Sequence, residues 1–149
     1  MNQNGRGCTL ERNRKLMIPE QRSHAMSAVR SRDTKYEILV RSALHRRGFR
    51  FRKNDRRYPG KPDIVLPKYR MAIFINGCFW HGHKGCKRAA PPETRAEFWT
   101  AKIARNRERD REQEAALLKS GFRVLTVWEC ELMADFSEKV QHLINEIQG

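Results

Sequence analysis

A chain of 149 residues has room for one domain with a real core, and not for two comfortable ones. It contains no run approaching the roughly 20 apolar residues of a membrane span and no apolar leader at its N-terminus, which together predict a soluble cytoplasmic protein. Its net charge is +14, and residues 1–70 hold 19 of the 31 Lys and Arg but 6 of the 17 acidic residues; clustered Arg suits a polyanionic partner, with nucleic acid ahead of an anionic lipid surface or a merely solubilising tail.

Residues 1–22 are polar, Arg- and Asn-rich and aperiodic, and read as a flexible basic arm. Residues 23–149 are expected to form a single domain. A helix is predicted from Thr34, where Thr34 and Glu37 have capping-box spacing and Tyr36, Leu39, Val40 and Ala43 mark an apolar face, to a stop at Gly48. Phe49 and Phe51 alternate with Arg50 and Arg52 as in a half-buried strand. Asn54 to Pro62 is a loop broken by Pro59, Gly60 and Pro62, and two strands follow near 63–67 and 71–75. Residues 77–93, rich in Gly, Cys, His and Pro, form an irregular loop. A long helix over 97–119, a β-prone strand over 123–128 and an amphipathic helix over 136–147 complete the chain, the last with Phe136, Val140, Leu143 and Ile147 on one face. The order αβββαβα predicts an α/β fold in which helices flank a mixed sheet.

Two clusters carry chemistry. Cys78, His83 and Cys86 place three metal-binding side chains within nine residues, and Cys130 could add a fourth from a later strand end. Zinc favours four tetrahedral Cys/His ligands, whereas a disulfide framework is unexpected inside the cell. Buried thiols with a surface histidine are the alternative, and spacing does not decide between His81 and His83 as the ligand.

The second cluster is acidic. Asp63 follows a Gly-Lys-Pro turn at the mouth of a strand, a position suited to Mg²⁺, although Pro-Asp is also an ordinary turn. On the long helix, steps of three and four join Trp99, Ile103, Asn106, Asp110, Gln113 and Leu117, so that an inward Asp110 needs a partner, for which His81 is available. Such a carboxylate would fix the imidazole tautomer while the other ring nitrogen handles a proton; a solvated helix face is the competing reading. Glu37 reads both as a capping acid and as a carboxylate able to hold a metal's water.

The segments MSAVRSRDTKYE (26–37), YPGKPDIVLPKYR (58–70), IFINGCFWHGHKGC (73–86), EFWTAKIARNRERD (97–110) and GFRVLTVWECEL (121–132) resemble the very-short-patch repair endonucleases, a branch of the restriction-endonuclease-like fold. The resemblance spans about residues 24–132, and GCFWHGH with the later VWEC is its most specific part. It implies a monomeric enzyme that nicks double-stranded DNA 5′ of the thymine in T:G mismatches left by deamination of 5-methylcytosine, near the nucleoid. A cognate cytosine-5 methyltransferase and mismatch-repair accessory proteins would be its partners.

The resemblance also implies roles. Asp63 and the main-chain carbonyl of Ile75 would hold catalytic Mg²⁺, with Glu37 nearby. His81 would be the catalytic histidine with Asp110 as its partner, and Cys78, His83, Cys86 and Cys130 would hold structural Zn²⁺. Phe79 and Trp80, with Met26, would be wedges inserted beside the mismatch, and Asn76 a DNA contact. Two features depart from related nucleases: Phe74-Ile75-Asn76 stands where many carry an acid-x-Lys pair, and Asn76 replaces a histidine found in some repair relatives. A nicking or restriction enzyme indifferent to mismatches, and a zinc-stapled DNA-binding module without chemistry, are the alternatives.

Overall fold

The computed structural model describes residues 34–149; the basic arm, Cys8 and Met26 lie outside the described residues. Of these, Pro91–Ala101 belong to one compact unit, and residues 34–90 with Lys102–Gly149 to another. In the first, Arg95 stacks its guanidinium over the Phe98 ring at 4.1 Å, and Trp99 is fully buried.

The larger unit opens with α1 (Lys35–Arg46), capped by Thr34, whose hydroxyl accepts from the Glu37 N–H at 3.4 Å. Its buried face is wider than the expected one, with Tyr36 and Ala43 packed against the core as expected. Val40 and Leu44 point inward together with Glu37 and Arg41, while Leu39 is 37% exposed. The two charged residues can face inward because they pair one helical turn apart: Arg41 Nη2 donates to Glu37 Oε2 at 3.1 Å and Arg41 Nε to the Glu37 carbonyl at 3.2 Å. Opposite charges joined in this way can be taken into an interior that neither would enter alone.

After Gly48, Phe49 is buried and Phe51 half-buried between exposed arginines, as alternation predicts. The expected strand nevertheless reduces to a single antiparallel bridge between Arg52 and Val65. β1 (Ile64–Leu66) then runs antiparallel to β2 (Met71–Asn76) with Ile64 opposite Ile73; a 3₁₀ turn over Pro67–Tyr69 joins them. β2 pairs in parallel with β3 (Arg123–Trp128), Ile73 facing Leu125, giving a three-stranded mixed sheet of order β1-β2-β3 among the described residues. Parallel neighbours need a long connection, and here it contains the Cys/His loop and α2 (Ala96–Lys119).

Trp128 leads directly into α3 (Glu129–Ala134), a short helix the sequence pattern did not predict. α4 (Phe136–Gln148) follows, with the Asp135 carboxylate accepting from the Glu138 N–H at 3.0 Å. Val140, Leu143, Ile144 and Ile147 of α4 join Val40 and Leu44 of α1 and the inward residues of the sheet in one apolar core. Phe136, expected on that face, is only half-buried at its margin. Among the described residues no helix is long and apolar enough to cross a membrane.

Candidate active site and metal cluster

The sheet brings the start of β1 beside the end of β2. Asp63, just before β1, accepts a hydrogen bond through Oδ2 from the Ile75 N–H at 2.6 Å. Burial pushes the Asp63 carboxyl up to about 7, and the charge of Glu37 pushes the same way; the Ile75 N–H, Arg41 and His81 pull it down.

This shift has a testable cost. The unfolded carboxyl ionises near 3.8, so between there and about 7 the folded state keeps a proton that the unfolded state has lost. The stability Asp63 contributes is complete below the lower value and fades as pH rises through the upper one. Asp63→Asn, which keeps an acceptor for Ile75 without the charge, should therefore melt a few degrees above the wild type at about pH 8 in Mg²⁺-free buffer. The advantage should vanish at about pH 4. Equal melting at the higher pH would contradict it.

The polar stripe of α2 meets the loop after β2. His81 Nδ1 and Asp110 Oδ2 lie 2.6 Å apart, and Asn106 Nδ2 donates to the Trp80 carbonyl at 2.9 Å. Ile103, Asn106, Asp110 and Gln113 are half-buried and Leu117 is buried, as the spacing predicted. Close approach here depends on Gly82 (φ +59°): a Cβ there would meet Ile103 Cγ2 at 2.6 Å and Arg107 Cδ at 2.8 Å. With Nδ1 engaged by the carboxylate, His81 has Nε2 for proton exchange.

Glu37, Asp63, Ile75, Asn76, His81 and Asp110 line one cleft of about 800 Å³. Ile75 contributes its main chain to the contact with Asp63. Gln113 of the expected α2 stripe lines it too, but the basic part of the lining was not anticipated: Arg56, Arg57 and Lys61 from the 54–62 loop, and Arg109 from α2. Asp55 pins that loop, accepting from the Arg57 N–H at 3.0 Å and from its guanidinium at 2.7 Å. The only sequence signal for this wall was the density of Arg around Asp55. Phe79 and Trp80 are half-buried, with ring centroids 5.1 Å apart at 81°, and the Lys102 ammonium lies 5.6 Å from the Trp80 ring. Neither aromatic belongs to the apolar core.

Away from these side chains, Cys78, His83, Cys86 and Cys130 bring one donor atom each to within 4.8 Å of one another, an arrangement that could hold a metal ion. The His83 N–H donates to the Cys78 carbonyl at 2.9 Å, which folds the loop, and Cys130 in α3 supplies a sulfur 3.4 Å from His83 Nδ1. The His83 ring stacks on Trp128, 4.1 Å between centroids and 7° from parallel. Thus His83 joins the cysteines, while His81 faces Asp110.

Comparison with known proteins adds an independent line. A family model described as DNA mismatch endonuclease Vsr matches residues 15–88. The chain is 49% identical over 135 residues to the type II nicking enzyme V.NmeAIP of Neisseria meningitidis serogroup A, covering 89% of this chain and 96% of that one. It is 50% identical over 116 residues to the type II nicking enzyme V.XorIIP of Xanthomonas oryzae pv. oryzae, covering 78% and 85%. With the DNA mismatch endonuclease Vsr of Escherichia coli it shares 48% identity over 111 residues, covering 74% and 70%.

Proposed function

This chain belongs to the Vsr family of DNA mismatch endonucleases, and on that premise we propose that it nicks one strand of duplex DNA 5′ of the thymine in a T:G mismatch. The observation that carries the reading is the 2.6 Å His81–Asp110 pair lining the same cleft as Asp63 and Glu37. A DNA-binding module would have no use for that combination. The family's restriction-endonuclease-like fold is the proposed frame, with Asp63 just before β1 and Asn76 at the end of β2 lining one cleft.

His81 Nε2 takes a proton from the water that attacks phosphorus as the P–O bond breaks. Asp110 holds the imidazole in the required tautomer and stabilises its cationic form. Asp63, the Ile75 carbonyl and Glu37 offer oxygen donors, the set a hard cation prefers. They fit Mg²⁺ because burial and the neighbouring carboxylate charge, which raise the Asp63 pKa, are relieved by a cation. Bound there, Mg²⁺ would neutralise charge developing on the phosphate.

For the Cys/His cluster we propose structural zinc. A tetrahedral zinc site separates its sulfur and nitrogen donors by roughly 3.5–3.8 Å, close to the 3.4 Å between Cys130 Sγ and His83 Nδ1. Burial pushes the Cys78 thiol up to about 12, so a cation beside it is what would favour the thiolate.

Phe79 and Trp80 are proposed as the mismatch wedge, with Met26 joining from the N-terminal region. A wobble pair is already displaced, so inserting an apolar side chain there costs less than in matched DNA. Trp80→Ala should therefore lower the T:G preference in nicking while leaving the salt dependence of binding unchanged. If Phe79→Ala and Trp80→Ala both keep the full preference, these rings pack the loop and do not read the mismatch.

The function itself is tested with a T:G duplex end-labelled on either strand and incubated with Mg²⁺. Cutting confined to the thymine strand is the expected result. Equal nicking of matched DNA would favour a mismatch-independent nicking enzyme; relatives are named type II nicking enzymes, a name that does not mention a mismatch. Tight binding without cutting would leave only the DNA-binding module.

A further inference from the structure

Three polar or charged side chains of the described residues are more than nine-tenths buried: Glu37, Arg41 and Asn76. Glu37 and Arg41 pair with each other. Asn76 differs. It is 8% exposed, closes β2 opposite Trp128, and lines the cleft beside Asp63 and His81. None of the side-chain hydrogen bonds among the described residues involves its amide. Nor is the amide sealed from solvent, since no fully enclosed side-chain nitrogen or oxygen lacks a partner. Alternation along β2 puts Asn76 on the same face as Phe74, which also lines the cleft. A side chain this deeply buried, whose amide has no protein partner and keeps its exposure, is aimed at whatever fills the cleft it lines.

We infer that Asn76 is a further catalytic residue, whose amide donates a hydrogen bond from Nδ2 to a non-bridging oxygen of the phosphate being cut. The inference rests on the nuclease reading. A phosphodiester offers only acceptors at those oxygens, and of the neighbouring groups Asp63 and Glu37 are acceptors themselves. Arg56, Arg57, Lys61 and Arg109 are cations of the cleft lining drawn from the 54–62 loop and from α2, whereas Asn76 is a neutral donor on the sheet. Neutrality matters there, because a cation beside Asp63 would compete with a metal, while a second carboxylate would repel the phosphate. Base reading does not fit a side chain buried beside the proposed metal-binding aspartate.

The test uses the full chain with Ca²⁺ replacing Mg²⁺, so that DNA is held without being cut. Binding is measured to a T:G duplex with an ordinary phosphate 5′ of the thymine, and to duplexes with a single methylphosphonate of either configuration there. In the wild type one configuration should weaken binding markedly. In Asn76→Ala, binding to the ordinary duplex should fall about tenfold, and the methylphosphonate penalty should shrink by about the same factor. An identical penalty in the wild type and the variant would overturn the contact, because a merely structural role moves affinity without touching that difference. A changed Mg²⁺ requirement with an unchanged penalty would also overturn it, by making Asn76 a metal-side group.

Should the alanine variant melt early, Asn76→Asp keeps the shape while removing the donor. It should bind the ordinary duplex more than tenfold less tightly, and unchanged binding would refute the proposal. A wild-type chain that never nicks would count against the nuclease reading alone, since the binding comparison still decides Asn76.

Discussion

His81→Ala should lower the single-turnover nicking rate by about two to four orders of magnitude while zinc content and duplex affinity stay at the wild-type level. The size follows from the role. A positioned general base contributes about that much, and His81 is the histidine lining the cleft, held at Nδ1 by Asp110 at 2.6 Å. Asp110→Asn should lose nearly as much, because an amide can donate to Nδ1 and so stabilise the wrong tautomer. Asp63→Ala should remove Mg²⁺-dependent nicking altogether, since it deletes the carboxylate best placed for the ion and no core side chain. Three measurements check this: the rate, zinc per chain and duplex affinity for each variant. Undiminished nicking by either His81→Ala or Asp63→Ala removes that residue from the site. Loss of zinc in His81→Ala would mean that His81 and His83 had exchanged roles, against their placement here.

The second large effect is expected from the metal cluster. The loop that contains Cys78, His83 and Cys86 is irregular, and its tie to α3 is made through Cys130, 47 positions after His83. Zinc binding in small domains is worth about 10–16 kcal/mol and counts as folding energy. If only about a third of that is expressed here, Cys130→Ser or chelation should lower Tm by about 10 °C, at roughly 2–4 °C per kcal/mol. Nicking should fall with it, because the same loop carries His81 between the cluster and Asp110. Elemental analysis should give about one zinc per chain in the wild type. Folded, active protein without zinc, or a Tm indifferent to chelation, would end the structural-zinc proposal.

Much of the fold was legible because its signals are periodic or local. The α2 stripe, the Thr34 cap, the β-prone run before Trp128 and the apolar face of α4 all recur in the structure near their expected positions. What escaped depends on partners distant in sequence. The inner face of α1 takes in Glu37 and Arg41 because they neutralise each other, and a hydropathy pattern counts both as outward-facing. The Phe49–Arg52 alternation gives the right burial, but strand pairing also needs main-chain partners, and only Val65 supplies one. α3 is six residues long, too short for a helical period to stand out.

The site divides in the same way. The pairing of Asp110 with His81 follows from an inward carboxylate that needs a partner, and the cysteine cluster from ligand chemistry. The stripe turns Asn106 inward, but that it grips the Trp80 carbonyl leaves no trace in side-chain patterns, because its partner is main chain. The arginine wall of the cleft shows in sequence only as a density of Arg around Asp55, because a loop's composition does not say what it will line. Asn76 could be placed at a strand end from sequence, but its burial without a protein partner emerges only once the cleft is built.

The measurement that bears most directly on the central claim is the single-turnover nicking rate, with Mg²⁺, of a duplex carrying one T:G mismatch at a former 5-methylcytosine position, set against the same duplex with T:A. A single nick 5′ of the mismatched thymine is expected, at a rate on T:G at least tenfold above that on T:A, the lower bound if one wedge-dependent step worth about 1.4 kcal/mol separates the two. Equal rates on both duplexes, or cutting of both strands, would contradict it.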